Sequence, residues 1–230
     1  MELLDFHAHI LPHVDHGARH TSTAVEQMAL IDGAGVKTVC ATSHFYPEKV
    51  LPETYLLART QWLEHLLAEM GDSPRPAIIP SAEVLICEGM ENMDALDDLC
   101  FEGTRVLLLE MPFVPAMWTR RLQETVFAIR DRGICPVLAH IDRYPQKLIE
   151  PLLQAGIRGQ VNAEALAKFF KPRHLLRWID EGRIVALGSD LHGSASSGYD
   201  AFKKVVATMP ERVERLMGTS SELLRDAVRH

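Results

Sequence analysis

Short apolar runs alternate along the chain with longer segments of helical periodicity, and this alternation constrains the fold more than any other feature. Seven runs rich in Val, Ile and Leu predict strands, and helical spacing follows each of them. The predicted strands are Leu3 to His9, Lys37 to His44, Ala77 to Leu85, Arg105 to Glu110, Cys135 to Ile141, Arg158 to Asn162 and Ile184 to His192. Strict alternation favours parallel strands, in a barrel or a doubly wound sheet.

Helices are predicted between the strands and after the last one. They cover residues 21–33, 52–69, 88–99, 119–132, 146–155, 172–181 and 199–208, with a closing helix at 220–228. Residues 71–76 are predicted to form a connection, and residues 193–198 a flexible loop that borders the site. With 230 residues, 47% of them hydrophobic, the chain can bury one core, so we expect a single domain over 1–230.

Charge and composition exclude several classes of partner. The formal net charge is -7 and the 24 Lys and Arg residues are scattered, which argues against nucleic acid and anionic membranes as partners. No signal peptide and no apolar run of about 18 residues are visible, so we expect no membrane insertion and a cytoplasmic location. The four cysteines lack CxxC spacing, which fits a reducing cytosol rather than a disulfide framework.

Two spaced pairs of polar residues stand at the ends of apolar strands. His7 and His9 are two residues apart, so their imidazoles point to the same face of the first predicted strand. Asp190 and His192 close the last predicted strand in the same way. A cation between the two pairs would explain both.

Six of the seven predicted strands carry such residues at or near their carboxyl ends. The further members are His44, Glu83, Glu110 and His140. Carboxyl ends converge on one mouth in a closed parallel barrel but are strung out in an open sheet, so this distribution favours a barrel. Taken singly, a histidine such as His44 or His140 is more often hydrogen-bonded than ligated, but carboxylates in apolar strands are costly to bury without a counter-charge. A metal supplies that charge.

Jointly, these residues resemble the polymerase and histidinol phosphatase (PHP) superfamily. Within it, the sequence is most similar to the bacterial manganese-dependent protein-tyrosine phosphatases encoded with capsule and exopolysaccharide genes. The resemblance covers essentially the whole chain, and its most specific part is the HIxRY pattern in the third of three stretches. These stretches are Asp5 to Gly17 (DFHAHILPHVDHG), Ala41 to His44 (ATSH) and Ala139 to Tyr144 (AHIDRY).

This resemblance implies a distorted seven-stranded (β/α)7 barrel, similar to a TIM barrel, with three divalent metal ions, manganese first and iron or zinc as alternatives. Each of the three ions has its own implied set of ligands. The implied sets are His7, His9, Glu83 and Asp190 for the first ion, Glu83, Glu110 and His140 for the second, and His16, His44 and His192 for the third. The mixed set of nitrogen and oxygen ligands does not discriminate among these metals.

The sequence departs from the tyrosine phosphatase pattern at two places. His16 stands where those enzymes have an aspartate, which leaves the metal preference of the third position open. The family's second phosphate-binding arginine would follow His192, where only Gly, Ser, Ala and Tyr occur through Tyr199, so Arg19 or Lys203 are the substitutes considered. Arg143 is the first candidate for gripping phosphate oxygens, because a guanidinium binds them bidentately.

The expected reaction is hydrolysis of a phosphate monoester. Clustered divalent ions lower the pKa of bound water to about 7 and screen the charge of the phosphate, so a metal-bound hydroxide could attack phosphorus. Arg143, Glu83 and Asp190 are the residues predicted to be catalytic in this reaction. A phosphotyrosine protein, such as the tail of a bacterial tyrosine kinase, is the substrate that the resemblance implies.

Several alternatives stay open from the sequence. They are a phosphatase for histidinol phosphate or another small metabolite, a phosphodiesterase, and a metal-binding regulatory protein without turnover. Cysteine-based phosphatase chemistry is set aside because no cysteine is followed by an arginine six positions on. The sequence does not indicate an oligomeric state.

Supporting residues are assigned more loosely. Asp5 and Asp15 either orient the histidines as hydrogen-bond acceptors or serve in turns and caps. Five large side chains that follow strand ends would form either an apolar rim around an aromatic phosphoester or, for most of them, part of the core. They are Phe45, Tyr46, Phe113, Met117 and Trp118.

Overall fold

The structure is a computed structural model that describes residues 2–71, 75–193 and 197–226. Parts of the predicted connection and flexible loop, residues 72–74 and 194–196, lie outside the described residues. The strands are β1 (Leu3–Ala8), β2 (Val36–Ala41), β3 (His44–Phe45), β4 (Ala77–Pro80), β5 (Glu83–Leu85), β6 (Val106–Glu110), β7 (Cys135–Leu138), β8 (Arg158–Asn162) and β9 (Ile184–Gly188). The helices are α1 (Thr21–Gly33), α2 (Pro52–Met70), α3 (Arg120–Asp131), α4 (Gln146–Gln154), α5 (Ala163–Ala167), α6 (Arg173–Asp180), α7 (Ser197–Thr208) and α8 (Pro210–Asp226).

Every paired strand in the described chain runs parallel to its neighbour, which confirms the predicted α/β class. One sheet has the order β1-β2-β4 and the other has the order β3-β5-β6-β7-β8-β9. The predicted strands over 37–44 and 77–85 are each broken in two, at residues 42–43 and 81–82. Counted across these breaks, the seven predicted strands are all present, and each broken strand passes from one sheet into the other.

Strands β1 and β9 meet at the carboxyl ends that carry the candidate metal ligands. The backbone N–H of Asp190 donates to His7 O at 2.7 Å, and that of His9 donates to Leu191 O at 3.0 Å. Ala8 and Leu191 form an isolated parallel bridge. Among the described residues no continuous ladder joins the two strands, so the barrel is distorted here and its wall is held by a few bonds.

Asp5 strengthens the junction of β1 and β9. One carboxylate oxygen accepts from the backbone N–H of His7 at 3.2 Å and of Ser189 at 2.9 Å, and the other accepts from the Tyr199 hydroxyl. The carboxylate thus holds the backbone of the His7 strand and touches no histidine ring. Burial raises the pKa of Asp5, although these hydrogen bonds oppose that rise.

Apolar side chains fill the space between strands and helices. All five residues of β6 are buried, and α3 buries Leu122, Val126 and Ile129 on one face, as its period of 3.6 residues requires. Thr119 caps α3 by accepting from Leu122 N at 3.0 Å, which satisfies one of the free N–H groups at the helix start. Among the described residues, no helix is long and apolar enough to cross a membrane.

Two predicted helices were wrong in type or in start, and one helix was missed. Residues 88–99 form two 3₁₀ segments, Met90–Asn92 and Asp94–Leu99, because the stretch is rich in Asp and Asn, which compete with the helical backbone for hydrogen bonds. Helix α8 begins at Pro210 rather than at residue 220, with the fixed φ of proline suited to a first turn. Helix α5 was not predicted.

Candidate active site

The nine side chains predicted as metal ligands gather at the carboxyl ends of the strands. Seven of them line a cavity of about 230 Å³, here called the site cavity, and the other two, His7 and His9, are fully buried beneath it. The site cavity is lined by His16, His44, Tyr46, Glu83, Glu110, Phe113, His140, Arg143, Asp190 and His192. The sequence therefore predicted correctly that these residues meet at one mouth.

The rings of His7 and His9 face each other at the end of β1. Their Nε2 atoms lie 3.0 Å apart, and each lies 3.3 Å from Glu83 Oε2. Asp190 Oδ1 is close to both, at 3.6 Å from His7 Nε2 and 3.4 Å from His9 Nε2. Two imidazole nitrogens and two carboxylate oxygens thus surround one point.

The opposite nitrogen of each ring is engaged by an acceptor. Asp15 Oδ2 lies 2.7 Å from His9 Nδ1, so this carboxylate orients His9, as one of the two predicted roles requires. The same oxygen accepts from His44 N at 2.7 Å, and Oδ1 accepts from Gly17 N at 2.7 Å. Asp15 thereby holds two candidate ligands and the turn that follows it.

His7 is oriented by a glutamine on β8. Gln160 Oε1 accepts from the backbone N–H of His140 at 2.6 Å, which identifies it as the amide oxygen, and it lies 3.1 Å from His7 Nδ1. His7 Nδ1 must therefore carry the proton. Gln160 Nε2 donates to Asn162 Oδ1 at 2.9 Å, and Asn162 Nδ2 donates to Asp190 Oδ2 at 2.9 Å. Gln160 and Asn162 connect three candidate ligands.

These two amides were not predicted as site residues from the sequence. Gln160 and Asn162 are two residues apart, so they share a face of β8 in the same way that His7 and His9 share a face of β1. Strand β8 was the one predicted strand to which no site residue was assigned. Polar residues in an i, i+2 pattern at the end of a buried strand were the available signal.

A second group of ligand atoms surrounds Glu83 and Glu110. His140 Nε2 lies 2.7 Å from Glu83 Oε1 and 3.5 Å from Glu110 Oε1. His44 Nδ1 lies 3.0 Å from Glu83 Oε2 and 3.8 Å from Glu110 Oε2. Glu83 therefore reaches toward both groups with its two oxygens, as expected of a bridging carboxylate.

Three sets of side chains place their ligand atoms within 4.8 Å of one another. They are His7, His9 and Asp190; His44, Glu83 and Glu110; and His9, His44 and His192. His16 belongs to none of the three. Its ring stacks on that of His44, with centroids 4.9 Å apart, and lies 4.8 Å from that of His192. His16 is thus beside the third set rather than within it.

The donor atoms fit bound cations. Since Nδ1 of His7 and of His9 faces an acceptor, both Nε2 atoms of the neutral rings present lone pairs to each other, and only a proton or a cation between them removes the repulsion. Glu83 Oε2, His44 Nδ1 and His192 Nε2 are buried without a hydrogen-bond partner among the described residues. Buried polar atoms are normally satisfied, so these atoms are available as ligands.

Without cations, protons supply the counter-charge. Although burial disfavours charged imidazoles, Asp15 holds the pKa of His9 well above its usual value. Burial acts in the same way on His140, but hydrogen bonds to Glu110 and Glu83 raise its pKa to about 9. Burial and the nearby His9 instead lower the pKa of His192 to about 4. Against the effect of burial, the surrounding histidines hold the pKa values of Glu83 and Asp190 well below the usual range.

Arg143 lies at the edge of the site cavity and pairs with Asp190. Its Nη2 is 2.5 Å from Asp190 Oδ2, and 42% of the side chain is exposed. Asp190 thus turns one oxygen toward the histidines and the other toward Arg143. In the part of the chain that the structure describes, Arg143 is the one arginine or lysine that lines this cavity; Arg19 and Lys203 do not line it.

Residues 3–218 match the protein family described as capsular polysaccharide synthesis, CpsB/CapC. The chain belongs to this family. It is 27% identical over 210 residues to the tyrosine-protein phosphatase YwqE of Bacillus subtilis (strain 168), covering 86% of this chain and 80% of that protein. It is 24% identical over 210 residues to the tyrosine-protein phosphatase CpsB of Streptococcus pneumoniae, covering 83% of each.

The CpsB/CapC fold is also seen by comparison with solved structures. A crystal structure from a study of YwqE and CpsB, described as unique metal-dependent tyrosine phosphatases, superposes with a TM-score of 0.76 at 24% identity. The match covers 97% of this chain and 95% of the other. At this identity the match shows the shared fold.

The AHIDRY stretch of this CpsB/CapC protein has a structural basis beyond His140 and Arg143. Asp142 Oδ1 accepts from Asn162 N at 2.9 Å. The Tyr144 hydroxyl donates to Met111 O at 2.9 Å and accepts from Met111 N at 3.1 Å. These bonds tie the segment after β7 to the ends of β8 and β6, which fixes the position of Arg143 between them.

Two glycines of this CpsB/CapC protein allow the site to form. A Cβ at Gly188 would lie 2.6 Å from His7 Cβ and 2.7 Å from Gln160 Nε2, and a Cβ at Gly17 would lie 2.3 Å from His9 Cβ. Real Cβ atoms do not approach so closely, so any other residue would displace the histidines.

The five large side chains predicted as rim or core divide between the two roles. Phe45 and Trp118 are buried in the core, so core packing accounts for two of the five side chains and not for most of them, as had been predicted. Tyr46 and Phe113 line the site cavity, and Met117 lies beyond Phe113 with more than half of its surface exposed. Phe113 stacks on His140, with ring centroids 5.5 Å apart.

Proposed function

We propose that this chain is a metal-dependent protein-tyrosine phosphatase. The observation that carries the proposal is the meeting of three ligand-spaced groups of histidines and carboxylates with Arg143 at one cavity. Membership of the CpsB/CapC family and the names of YwqE and CpsB support the same activity. A metal-dependent mechanism agrees with the cysteines, since burial raises the pKa of all four thiols, that of Cys100 to about 12.

The proposed ligands serve three divalent ions, with manganese as the first choice. His7, His9, Glu83 and Asp190 would hold the first ion, and Glu83, Glu110 and His140 the second. His44 and His192 would hold the third, with His16 moving in from its place beside them. The proximity of His44 to both carboxylates supports a second role for this ring at the second ion.

Divalent ions bound here would lower the pKa of a water molecule and offset the charge of the phosphate. The protein's own residues position the substrate. Arg143, anchored by Asp190, keeps guanidinium N–H groups free for phosphate oxygens. Phe113 and Tyr46 give the cavity aromatic walls that suit an aryl phosphate. The leaving phenolate has a pKa of about 10, so it departs with little help from an acid.

The proposed substrate is a phosphotyrosine protein, with the tail of a bacterial tyrosine kinase as a specific candidate. The family description, capsular polysaccharide synthesis, supports a regulatory role in making capsule or exopolysaccharide. Such a kinase tail would lie in the cytoplasm, where we place this protein.

The test measures hydrolysis by protein loaded with manganese, iron or zinc. The substrates are a phosphotyrosine peptide, histidinol phosphate and a dinucleotide. We expect the peptide to be preferred. Preference for histidinol phosphate would replace the tyrosine assignment, and no hydrolysis with any metal would favour a non-catalytic metal-binding protein.

A pair of double variants tests the site itself. His7→Ala with His9→Ala should abolish turnover and metal binding, because it removes two converging nitrogens. His13→Ala with His20→Ala is the matched control, since both side chains are exposed and lie outside the site cavity. Turnover that survives the first double variant would refute the proposed ligands.

A further inference from the structure

A second cavity of about 410 Å³ adjoins the site cavity. The two share Tyr46, Glu110 and Phe113 as lining residues. We call this second cavity the flanking groove. Its volume falls within the range of about 300–1,000 Å³ that is usual for ligand sites.

The strand order explains why the groove exists. Strand β5 lies between β3 and β6 and ends at Leu85. The segments that follow β3 and β6 extend past this end and form two walls, from Tyr46 to Lys49 and from Pro112 to Met117, while Leu85, Ile86 and Cys87 form the floor. The groove therefore opens on the same side of the barrel as the site cavity.

One wall of the groove is exposed and apolar. Phe113, Val114 and Met117 are 54%, 56% and 55% exposed, respectively. Contiguous exposed apolar side chains mark binding surfaces more often than isolated ones do. The wall is continuous with the candidate ligands, because Phe113 stacks on His140.

The rim carries both signs of charge. Glu48 and Lys49 are exposed at the opposite wall, and Lys49 Nζ lies 4.7 Å from the centroid of the Tyr46 ring. With one acid and one base at the rim, charge gives no strong preference, and the apolar wall and floor determine what binds.

We propose that the flanking groove binds an apolar side chain of the substrate itself, two residues away from the phosphotyrosine. This proposal rests on the proposed phosphatase function. In an extended peptide, residues i and i+2 point to the same side and are separated by about 6.6 Å. A phosphotyrosine that enters the site cavity thus directs its second neighbour toward the adjoining cavity. A branched aliphatic side chain fits the apolar surface there. The groove would therefore make the enzyme selective for the residue at that position of the substrate.

The experiment compares peptides with a substrate that has no peptide. One phosphotyrosine peptide carries Leu two residues before the phosphotyrosine, a second carries Leu two residues after it, and a third carries Ser at both positions. The fourth substrate is para-nitrophenyl phosphate. All are assayed with manganese-loaded protein.

We expect the wild-type protein to hydrolyse at least one Leu peptide with a kcat/KM about tenfold above that of the Ser peptide, as burial of one aliphatic group allows. Met117→Asp should abolish this preference, while kcat/KM for para-nitrophenyl phosphate stays within about twofold of wild type. Leu57→Asp is the matched control, because Leu57 is similarly exposed, at 59%, but lies on α2 outside both cavities. If Met117→Asp fails to fold by circular dichroism, Val114→Asp replaces it.

The outcomes separate the two proposals. Equal kcat/KM for Leu and Ser peptides would overturn the flanking groove as a subsite and leave the phosphatase intact. A Leu preference that survives Met117→Asp would place the recognition elsewhere and overturn it as well. No hydrolysis of any of the four substrates would instead refute the proposed function.

Discussion

Replacing Gln160 with methionine should loosen the candidate metal centre without touching a candidate ligand. Gln160 Oε1 accepts from His140 N at 2.6 Å and from His7 Nδ1 at 3.1 Å. Methionine has nearly the same shape but offers no comparable acceptor. Gln160→Met therefore leaves two buried donors unpaired and frees the His7 ring to take its other tautomer, in which Nε2 carries the proton and cannot bind a metal.

The expected size of the effect follows from these two donors. Each buried donor without a partner costs about 1–3 kcal/mol, so the free energy of unfolding of the metal-free protein should fall by about 2–6 kcal/mol. Domains of this kind have about 5–15 kcal/mol of stability, so the variant should still fold. Loss of a residue that orients a ligand typically lowers metal affinity or activity by 10–100-fold, and we expect Gln160→Met to lower manganese affinity by about that much.

Urea unfolding of metal-free protein measures the first quantity, and calorimetric titration with manganese measures the second. Gln154→Met makes the same chemical change at an exposed position on α4 and serves as the control. If Gln160→Met binds manganese as tightly as Gln154→Met does, hydrogen bonding from β8 does not set the His7 tautomer, and the reasoning is wrong.

Three further predictions concern the same site. Arg143→Lys should keep metal binding but lower kcat/KM for a phosphotyrosine peptide about tenfold, because an ammonium lacks the bidentate fork; unchanged kinetics would exclude phosphate contact. Manganese binding at pH 7.5 should release protons into weakly buffered solution, because His140 has a raised pKa of about 9 and must lose its proton to bind a metal. Apparent affinity should thus increase as pH rises toward 9 and level off above it, and the opposite trend would contradict the assignment. Gly188→Ala should destabilise the fold by about 1–3 kcal/mol, because the added methyl group would clash with His7. Gly218→Ala is the control and should not destabilise the fold, because the space around Gly218 is open. Calorimetric melting compares the two variants.

The same pKa shift has a consequence for the stability of the metal-free protein. The folded-state pKa of His140 is raised above its unfolded value, so its contribution to stability is fully present below about pH 6.5 and is lost as pH rises through about 9. Metal binding replaces the same charge. Added manganese should therefore stabilise the protein most on the alkaline side of this range.

The strands were predictable because a strand that is buried on both faces has a simple sequence pattern. In β6 and β9 every residue is buried, and parallel strands covered by helices read as continuous apolar runs. The breaks at residues 42–43 and 81–82 were not predictable in this way, because Thr, Ser and Ala are compatible with a strand and only the change of sheet identifies the break. Backbone bonds such as that from Glu83 N to Ser43 O, at 3.0 Å, span the break.

The strand ends show the limit of reasoning from local pattern. His140 and Asp190 were predicted within strands, yet both lie past the strand ends with positive φ, at 30° and 52°. Non-glycine residues adopt this conformation infrequently, and those that do tend to occur at functional sites. The sequence predicted these residues as candidate ligands from their chemistry, but their backbone conformation depends on contacts between strands distant in sequence.

The candidate ligands were predictable from the sequence because a charged side chain in an apolar strand needs a partner. The residues that orient these ligands were not predictable in this way. A buried carboxylate or an HxH pair is costly unless something compensates for it, so its presence alone indicates a site.

A glutamine costs less to bury, and nothing in residues 158–162 by itself distinguishes an amide that orients His7 from one that pairs with backbone. The role of Gln160 follows only from its position in β8, between β7, which leads to His140, and β9, which leads to Asp190. That strand order places one amide oxygen between two donors and passes its other end, through Asn162, to Asp190 and so to Arg143. The candidate metal ligands and Arg143 therefore share one chain of hydrogen bonds and ion pairs.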